Sequence, residues 1–162
     1  VISPSQVGLL VLDVDGVLTD GRLWFGPQGE SLKVFDVRDG HGIKRLQQAG
    51  VRVAVISGRR SEAVSERMRE LGVQHVLQGV ADKAQALAEL LRRERIEPGQ
   101  VACLVDDTPD LGLMAAVGLP AAVADAHPEV LAAARHVTRA PGGRGAVREF
   151  CDWLLAARSA KP

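Results

Sequence analysis

Short apolar, β-branched runs alternate along the chain with longer segments whose apolar residues recur every three or four positions. The runs are 7–14 (VGLLVLDV), 51–57 (VRVAVIS), 75–78 (HVLQ), 101–107 (VACLVDD) and 119–124 (LPAAVA). Each has strand length, and most are too continuously apolar to leave one face in water, which is the pattern of strands buried in a parallel sheet. Between them, 39–50 sets Ile43, Leu46 and Ala49 on one stripe and ends at Gly50, a residue suited to the left-handed turn that follows a helix. Segment 61–72 opens on Ser61 as N-cap, aligns Val64, Met68 and Leu71, and stops at Gly72. Segment 82–96 has Asp82 to cap it and Pro98 beyond its end, and a last helix is expected over 146–157.

This alternation predicts right-handed βαβ units. The expected class is therefore α/β: a three-layer, Rossmann-like parallel sheet with helices on both faces, in one domain spanning 1–162. One stretch breaks the rhythm. Segment 21–37 (GRLWFGPQGESLKVFDV) holds two β-rich runs joined by GPQG, which predicts a β-hairpin inserted after the first strand. It carries Trp24, Phe25 and Phe35, most of the aromatic content. A projecting aromatic hairpin either lids a site or buries itself against another subunit, and the second is favoured here. A flexible Gly-rich segment (APGGRGAV, 140–147), with Arg139 and Arg144, joins the last helix to form a C-terminal element over about 140–158.

Composition narrows the partners. Twenty basic and twenty acidic residues cancel, so the net charge marks neither a nucleic-acid footprint nor a polybasic membrane patch. Tyrosine is absent and aromatics are 3% of the chain, too few for a base-stacking surface. No apolar run approaches the roughly 18 residues of a membrane span, and no basic-then-apolar signal pattern opens the sequence. Cys103 and Cys151 are far apart and lack CxxC spacing, which predicts two reduced, buried thiols in a cytoplasmic protein rather than a disulfide or zinc site.

Ligands of open α/β sheets bind beyond the carboxyl ends of the strands, so polar residues at those ends should converge. They are Asp13, Asp15 and Gly16; Ser57, Gly58 and Arg59; Lys83 at the head of the 82–96 helix; and Asp106, Asp107 and Asp110. Carboxylates this close are costly unless a cation offsets them. A hard divalent ion, Mg²⁺, suits oxygen ligands and shares its shell with phosphate oxygens. Asp13 and Asp106 are the expected side-chain ligands, with the backbone carbonyl of Asp15 as the third. Ser57 and Lys83 complete a phosphate site by hydrogen bond and point charge. Asp13 is then the nucleophile that forms an aspartyl phosphate, and Asp15 the group that moves protons to the leaving oxygen and from water. Asp107 and Asp110 are expected in supporting roles. Arg38, Arg59 and Arg144 are candidates to hold a substrate carboxylate. His41 and His127 read as surface or capping residues, and His75 and His136 are assigned no role.

DVDGVLTD, VISGR, Lys83 and VDDTPD resemble, in order, the four motifs of the haloacid dehalogenase-like phosphohydrolases. More narrowly, FDVRDGHGIKRL, SGRRSEAVSERMRELGV, VLQGVADK, VADAHPEV and HVTRAPGGRGAVREFCDWLL resemble the 3-deoxy-D-manno-octulosonate 8-phosphate phosphatases of lipopolysaccharide synthesis, over nearly the whole chain. The four motifs mark a superfamily, whereas the VTR…GGRGAVRE tail and ADAHP are more specific. The resemblance implies a capless phosphatase whose hairpin replaces a cap domain, assembled as a homotetramer in which a neighbour shapes each site. Two positions depart from the family pattern. Val105 stands where glycine is usual before the paired aspartates, and Pro109 falls inside the acidic turn. A side chain at 105 could press on the metal loop, but both carboxylates after it and Asp110 remain, so slower or altered catalysis at worst is expected, not a dead site.

Three rivals fit parts of the pattern, one of them a structural subunit whose site has decayed through Val105, which predicts no Mg²⁺-dependent phosphate release. A nine-carbon ulosonate 9-phosphate phosphatase would use the same chemistry on a longer substrate; VRDG and the GGRGAVRE tail favour the shorter one. A receiver-like phosphoacceptor domain also uses an acidic cluster, a hydroxyl and a lysine, but no aspartate ends VRVAVIS.

Overall fold

A computed structural model describes residues 2–160. Its centre is β1 (Leu9–Leu12), where all four residues are buried. An aliphatic run of this kind has no face that tolerates water, so it takes the middle of the sheet. The chain then forms a hairpin, β2 (Trp24–Gly26) and β3 (Gly29–Leu32), followed by α1 (Val37–Gln48), β4 (Arg52–Ser57), α2 (Glu62–Leu71), β5 (His75–Gln78) and α3 (Lys83–Glu94). The second half contributes β6 (Val101–Val105), α4 (Leu111–Ala115), β7 (Leu119–Ala122), α5 (Pro128–Ala133), β8 (His136–Val137) and α6 (Ala146–Ser159).

Six strands form one parallel sheet in the order β5-β4-β1-β6-β7-β8. The chain winds from β1 outward through β4 and β5, then returns to β6 on the other side of β1. The order reverses between β1 and β6, and their carboxyl ends open a crevice where α/β sheets hold ligands. α1 packs on α2 and α6, whereas α3 packs on α4 and α4 on α5, which gives the two helical layers. The expected α/β fold is the observed one. Among the described residues, no helix is long and apolar enough to cross a membrane. Both cysteines are free and buried.

Local chemistry accounts for the element ends. Asp36 accepts a hydrogen bond from Arg38 N and starts α1 at Val37 rather than at residue 39. Asp82 accepts from Gln85 N and starts α3. Ser61 holds the N-cap position of α2, but its side chain makes no cap bond; the Gln78 side chain accepts from its backbone N–H instead. α3 ends at Glu94 because Arg95 takes the left-handed conformation at φ 55°.

The hairpin pairs antiparallel with itself and with no strand of the main sheet. It leaves Trp24, Phe25 and Leu32 more than half exposed. Val105, by contrast, is fully buried at the end of β6, in register with Ala122 of β7. Its side chain is accommodated in the core of the sheet. Pro109 is accommodated too, inside a single 3₁₀ turn over Thr108–Asp110 that Asp107 caps by accepting from Thr108 N.

Candidate active site

The crevice is a cavity of about 350 Å³ lined by Asp13, Asp15, Ser57, Gly58, Arg59, Lys83, Asp106, Asp107 and Asp110, with Gly21 and Pro109 at its edge. Each side chain arrives from the end of a strand or the start of a helix. Asp13 follows β1 and continues its ladder, its N–H donating to Leu104 O. Past it the chain turns tightly, with the N–H groups of Val17, Leu18 and Thr19 all donating to Val14 O and Thr19 Oγ1 accepting from Gly16 N and Gly21 N. Gly16 takes φ +86°, and a Cβ there would lie 1.8 Å from Asp106 Oδ2. This glycine lets the β1 loop and the β6 loop meet.

Carboxylate oxygens of Asp13, Asp106 and Asp110 lie within 4.8 Å of one another. Lys83, at the first position of α3, is the cation among them, with Nζ 2.9 Å from Asp13 Oδ1 and 2.7 Å from Asp110 Oδ1. Lysine at a helix N-terminus is disfavoured by the dipole, and these two carboxylates supply the compensation. Burial works against the Lys83 ammonium, but Asp13 and Asp110 outweigh it and raise its pKa. One ammonium does not satisfy three acids. Burial, and then the negative charges of Asp13 and Asp110, push Asp106 up to about 7. Asp110 is raised for the same reasons, burial first and then Asp13, against the pull of Lys83. Its Oδ1 is buried and, despite the nearby ammonium, receives no aligned hydrogen bond.

An all-carboxylate donor set and a buried site short of positive charge together fit a hard divalent cation. Asp13, Asp106 and Asp110 are positioned to hold it. Asp110, expected only in support, is here a full member of the cluster; periodicity could not reveal this because it sits on a turn whose direction depends on Pro109 and the Asp107 cap.

Ser57, at the end of β4, is almost fully buried, and its Oγ accepts from Arg59 N at 3.3 Å. Among the described residues its hydroxyl hydrogen has no acceptor, so it can donate to an anion in the cavity. Arg59 reaches across to Glu30 of β3 at 2.6 Å and lies 3.7 Å from Asp15. Arg38 and Arg144 are not brought into the cavity. Arg38 pairs with Asp36 and donates to Arg144 O, and the Arg144 guanidinium lies 4.0 Å from Asp20. His127 caps α5 by accepting from Glu129 N, and His41 is exposed.

Two site residues escaped sequence analysis. Lys33, just after β3, has a side chain only 2% exposed, and its Nζ lies 2.5 Å from Asp15 Oδ1 and 2.7 Å from Glu30 Oε1. Burial raises the Glu30 pKa, but hydrogen bonds from Lys33 and Arg59 prevail and lower it. The only sequence signal was a Glu and a Lys three apart within an apolar hairpin.

The profile of the haloacid dehalogenase-like hydrolases matches residues 75–149. Over 154 residues the chain is 50% identical to the 3-deoxy-D-manno-octulosonate 8-phosphate phosphatase of Yersinia pestis, covering 95% of this chain and 82% of that protein. A crystal structure of the phosphatase from Yersinia pestis matches with a TM-score of 0.94 at 49% identity, over 96% of this chain and 84% of that one. The phosphatase of the same name from Moraxella catarrhalis, solved in complex with magnesium ion, phosphate ion and a KDO molecule, matches with a TM-score of 0.93 at 37% identity, over 96% and 90% of the two chains. Identity of this level over nearly the whole chain, with the same fold, shows the family: the chain belongs to the 3-deoxy-D-manno-octulosonate 8-phosphate phosphatase family of the haloacid dehalogenase-like hydrolases.

Proposed function

We propose that the protein is a Mg²⁺-dependent phosphomonoesterase that hydrolyses 3-deoxy-D-manno-octulosonate 8-phosphate to the free sugar acid and phosphate. The observation that carries this is the Lys83-bridged cluster of Asp13, Asp106 and Asp110 at the point where the strand order reverses. Asp13, Asp106 and Asp110, with the Asp15 carbonyl nearby, would hold the metal. When bound, the ion neutralises the cluster and the phosphate oxygens, so that an anionic nucleophile can approach phosphorus.

Asp13 attacks the phosphorus, the bond to the sugar oxygen breaks, and an aspartyl phosphate forms on Asp13. Asp15 gives a proton to the departing sugar oxygen, then takes one from the water that attacks the aspartyl phosphate, restoring Asp13 and releasing phosphate. Lys83 offsets charge on the phosphoryl oxygens, and Ser57 with the backbone of Gly58 donates hydrogen bonds to them. Arg59 faces the cavity and is the candidate to meet the substrate carboxylate, ahead of Arg38 and Arg144, which are engaged outside it.

The exposed Trp24, Phe25 and Leu32 support assembly through the hairpin, into a homotetramer by family resemblance. Two reduced thiols support a cytoplasmic site of action, in lipopolysaccharide precursor synthesis. The test is Mg²⁺-dependent phosphate release by wild type and Asp13→Asn, with the eight-carbon and nine-carbon substrates compared. Full activity in Asp13→Asn removes the nucleophile assignment, and a clear preference for the longer substrate removes the eight-carbon one.

A further inference from the structure

The hairpin touches the active site through charge. Asp15, Lys33, Glu30 and Arg59 form a closed ring of alternating sign: Lys33 to Asp15 at 2.5 Å, Lys33 to Glu30 at 2.7 Å, Arg59 to Glu30 at 2.6 Å and Arg59 to Asp15 at 3.7 Å. Two members come from the hairpin side, one from the β1 loop and one from the β4 loop. The most buried of the four is Lys33, a residue that lines no part of the cavity.

A two-stranded hairpin is at best marginally stable alone, and this one gains no ladder bonds from the main sheet. Burying a lysine beside it costs several kcal/mol unless the charge is paired, and Lys33 is paired twice. The arrangement therefore needs a reason beyond holding the hairpin down, for which apolar contact would serve as well. Each carboxylate of the ring has two oxygens and meets two cations, so the Asp15 side chain is fixed in rotation as well as in place. Glu30 in turn orients Lys33 and Arg59. Neither carboxylate can swing without breaking an ion pair.

We propose that Lys33 is a positioning residue for the reaction. Held by Glu30, it fixes the Asp15 carboxylate in its aim at the leaving oxygen, so that the hairpin acts on turnover from outside the cavity. This rests on the proposed proton-transfer role of Asp15. Misplacement of a reacting group by about 1 Å can cost on the order of 100-fold, and a positioned acid–base group contributes roughly 10²- to 10⁴-fold. Loss of the Lys33 contact should accordingly lower kcat by about 10- to 100-fold while KM for the sugar phosphate changes less than about threefold.

The experiment compares Lys33→Met, Lys33→Arg, the double variant Glu30→Gln/Lys33→Met and Asp15→Asn. Each is measured with 3-deoxy-D-manno-octulosonate 8-phosphate and with p-nitrophenyl phosphate, whose leaving group departs without a proton. Lys33→Met should lose kcat on the sugar phosphate, yet keep its rapid first release of p-nitrophenolate while later turnovers slow. Lys33→Arg should recover part of kcat. The double variant removes one charge of each sign; it should regain the thermal stability lost in Lys33→Met and still turn over slowly. If kcat returns together with stability in the double variant, Lys33 is structural and the proposal is overturned. If Asp15→Asn is inactive but Lys33→Met keeps full kcat, the positioning role fails and the role of Asp15 stands. If Asp15→Asn is itself fully active, the proton-transfer reading fails first, and the positioning role with it.

Discussion

Replacing Gly16 with alanine tests the metal site through one atom. Gly16 sits at φ +86°, and the added Cβ would lie 1.8 Å from Asp106 Oδ2 and 2.5 Å from its Cγ. The backbone conformation alone costs an L-residue about 1–2 kcal/mol. Steric overlap adds to this, because carbon and oxygen settle near about 3.5 Å, so the Asp106 carboxylate must retreat by more than about 1 Å. Mg²⁺ asks for near-octahedral geometry, with ligand distances held to within about 0.2 Å, and a shift of that size exceeds the tolerance several-fold. We expect kcat/KM to fall by at least about 100-fold and the Mg²⁺ concentration for half-maximal phosphate release to rise. Melting temperature in EDTA should drop by a few degrees, since about 1 kcal/mol is worth roughly 2–4 °C in a domain of this size. Gly72→Ala separates the two effects: Gly72 follows α2 at φ +72°, and a Cβ there would have nothing within 4 Å, so this variant should lose comparable stability and no activity. If Gly16→Ala behaves like Gly72→Ala, with turnover and Mg²⁺ dependence intact, Asp106 is not the ligand this geometry makes it.

Three other outcomes follow from the same structure. Lys83→Met removes the one ammonium from a buried acid cluster; without metal it should cost about 3–5 kcal/mol, and added Mg²⁺ should raise its melting temperature more than that of wild type, an excess whose absence would count against metal binding by these acids. Asp39, 1% exposed, is pushed up to about 6, chiefly by burial and against hydrogen bonds from Arg148 N and Gly145 N. The folded protein therefore binds a proton that the unfolded chain has lost between pH 4 and about 6, and stability falls as pH rises through that window; urea unfolding should find Asp39→Asn more favourable relative to wild type at pH 7.5 than at pH 4.5, by on the order of 2–3 kcal/mol, and an equal difference at both refutes the shift. Val105→Gly, which restores the usual family residue, should lose roughly 2–4 kcal/mol from the void and the freer backbone with no gain in kcat, because Val105 is buried in the sheet; a faster variant would show that the side chain does press on the acidic loop.

The parts of this fold legible in the sequence are those whose cause is local. β1, β4 and β6 read as strands because buried parallel strands are continuous aliphatic runs, and α2 ended at Gly72 because a left-handed residue is needed there. α4, α5 and β8, at five, six and two residues, are too short for any period to register. The site divides in the same way. Asp13, Asp15, Ser57, Lys83 and Asp106 stand at strand ends or helix starts, where topology alone makes them converge. Lys33 and Glu30 do not: they meet Asp15 and Arg59 only through the direction the hairpin takes, and no pattern within residues 21–37 specifies that direction.

The Gly-rich segment before α6 shows why a stretch without reactive groups can be so characteristic. A Cβ on Gly142 would lie 1.7 Å from Gly16 O, and one on Gly143 2.3 Å from the backbone of Thr19 and Asp20. The segment therefore lies directly on the loop that carries Asp13 and Asp15, backbone against backbone, and Gly143 N donates to Val17 O. Its own position is fixed from three sides. Asp125 accepts from Gly142 N, Glu149 of α6 accepts from Arg139 N and Ala140 N, and Asp39 of α1 accepts from Gly145 N and Arg148 N at the head of α6. Buried Asp39 thus caps a helix more than a hundred residues away, and these two N–H groups offset part of the cost of burying its charge. Glycine at 142 and 143 is a steric demand of the loop after β1 rather than a sign of flexibility, and the placement of Asp13 and Asp15 rests on a segment packed backbone against backbone on that loop.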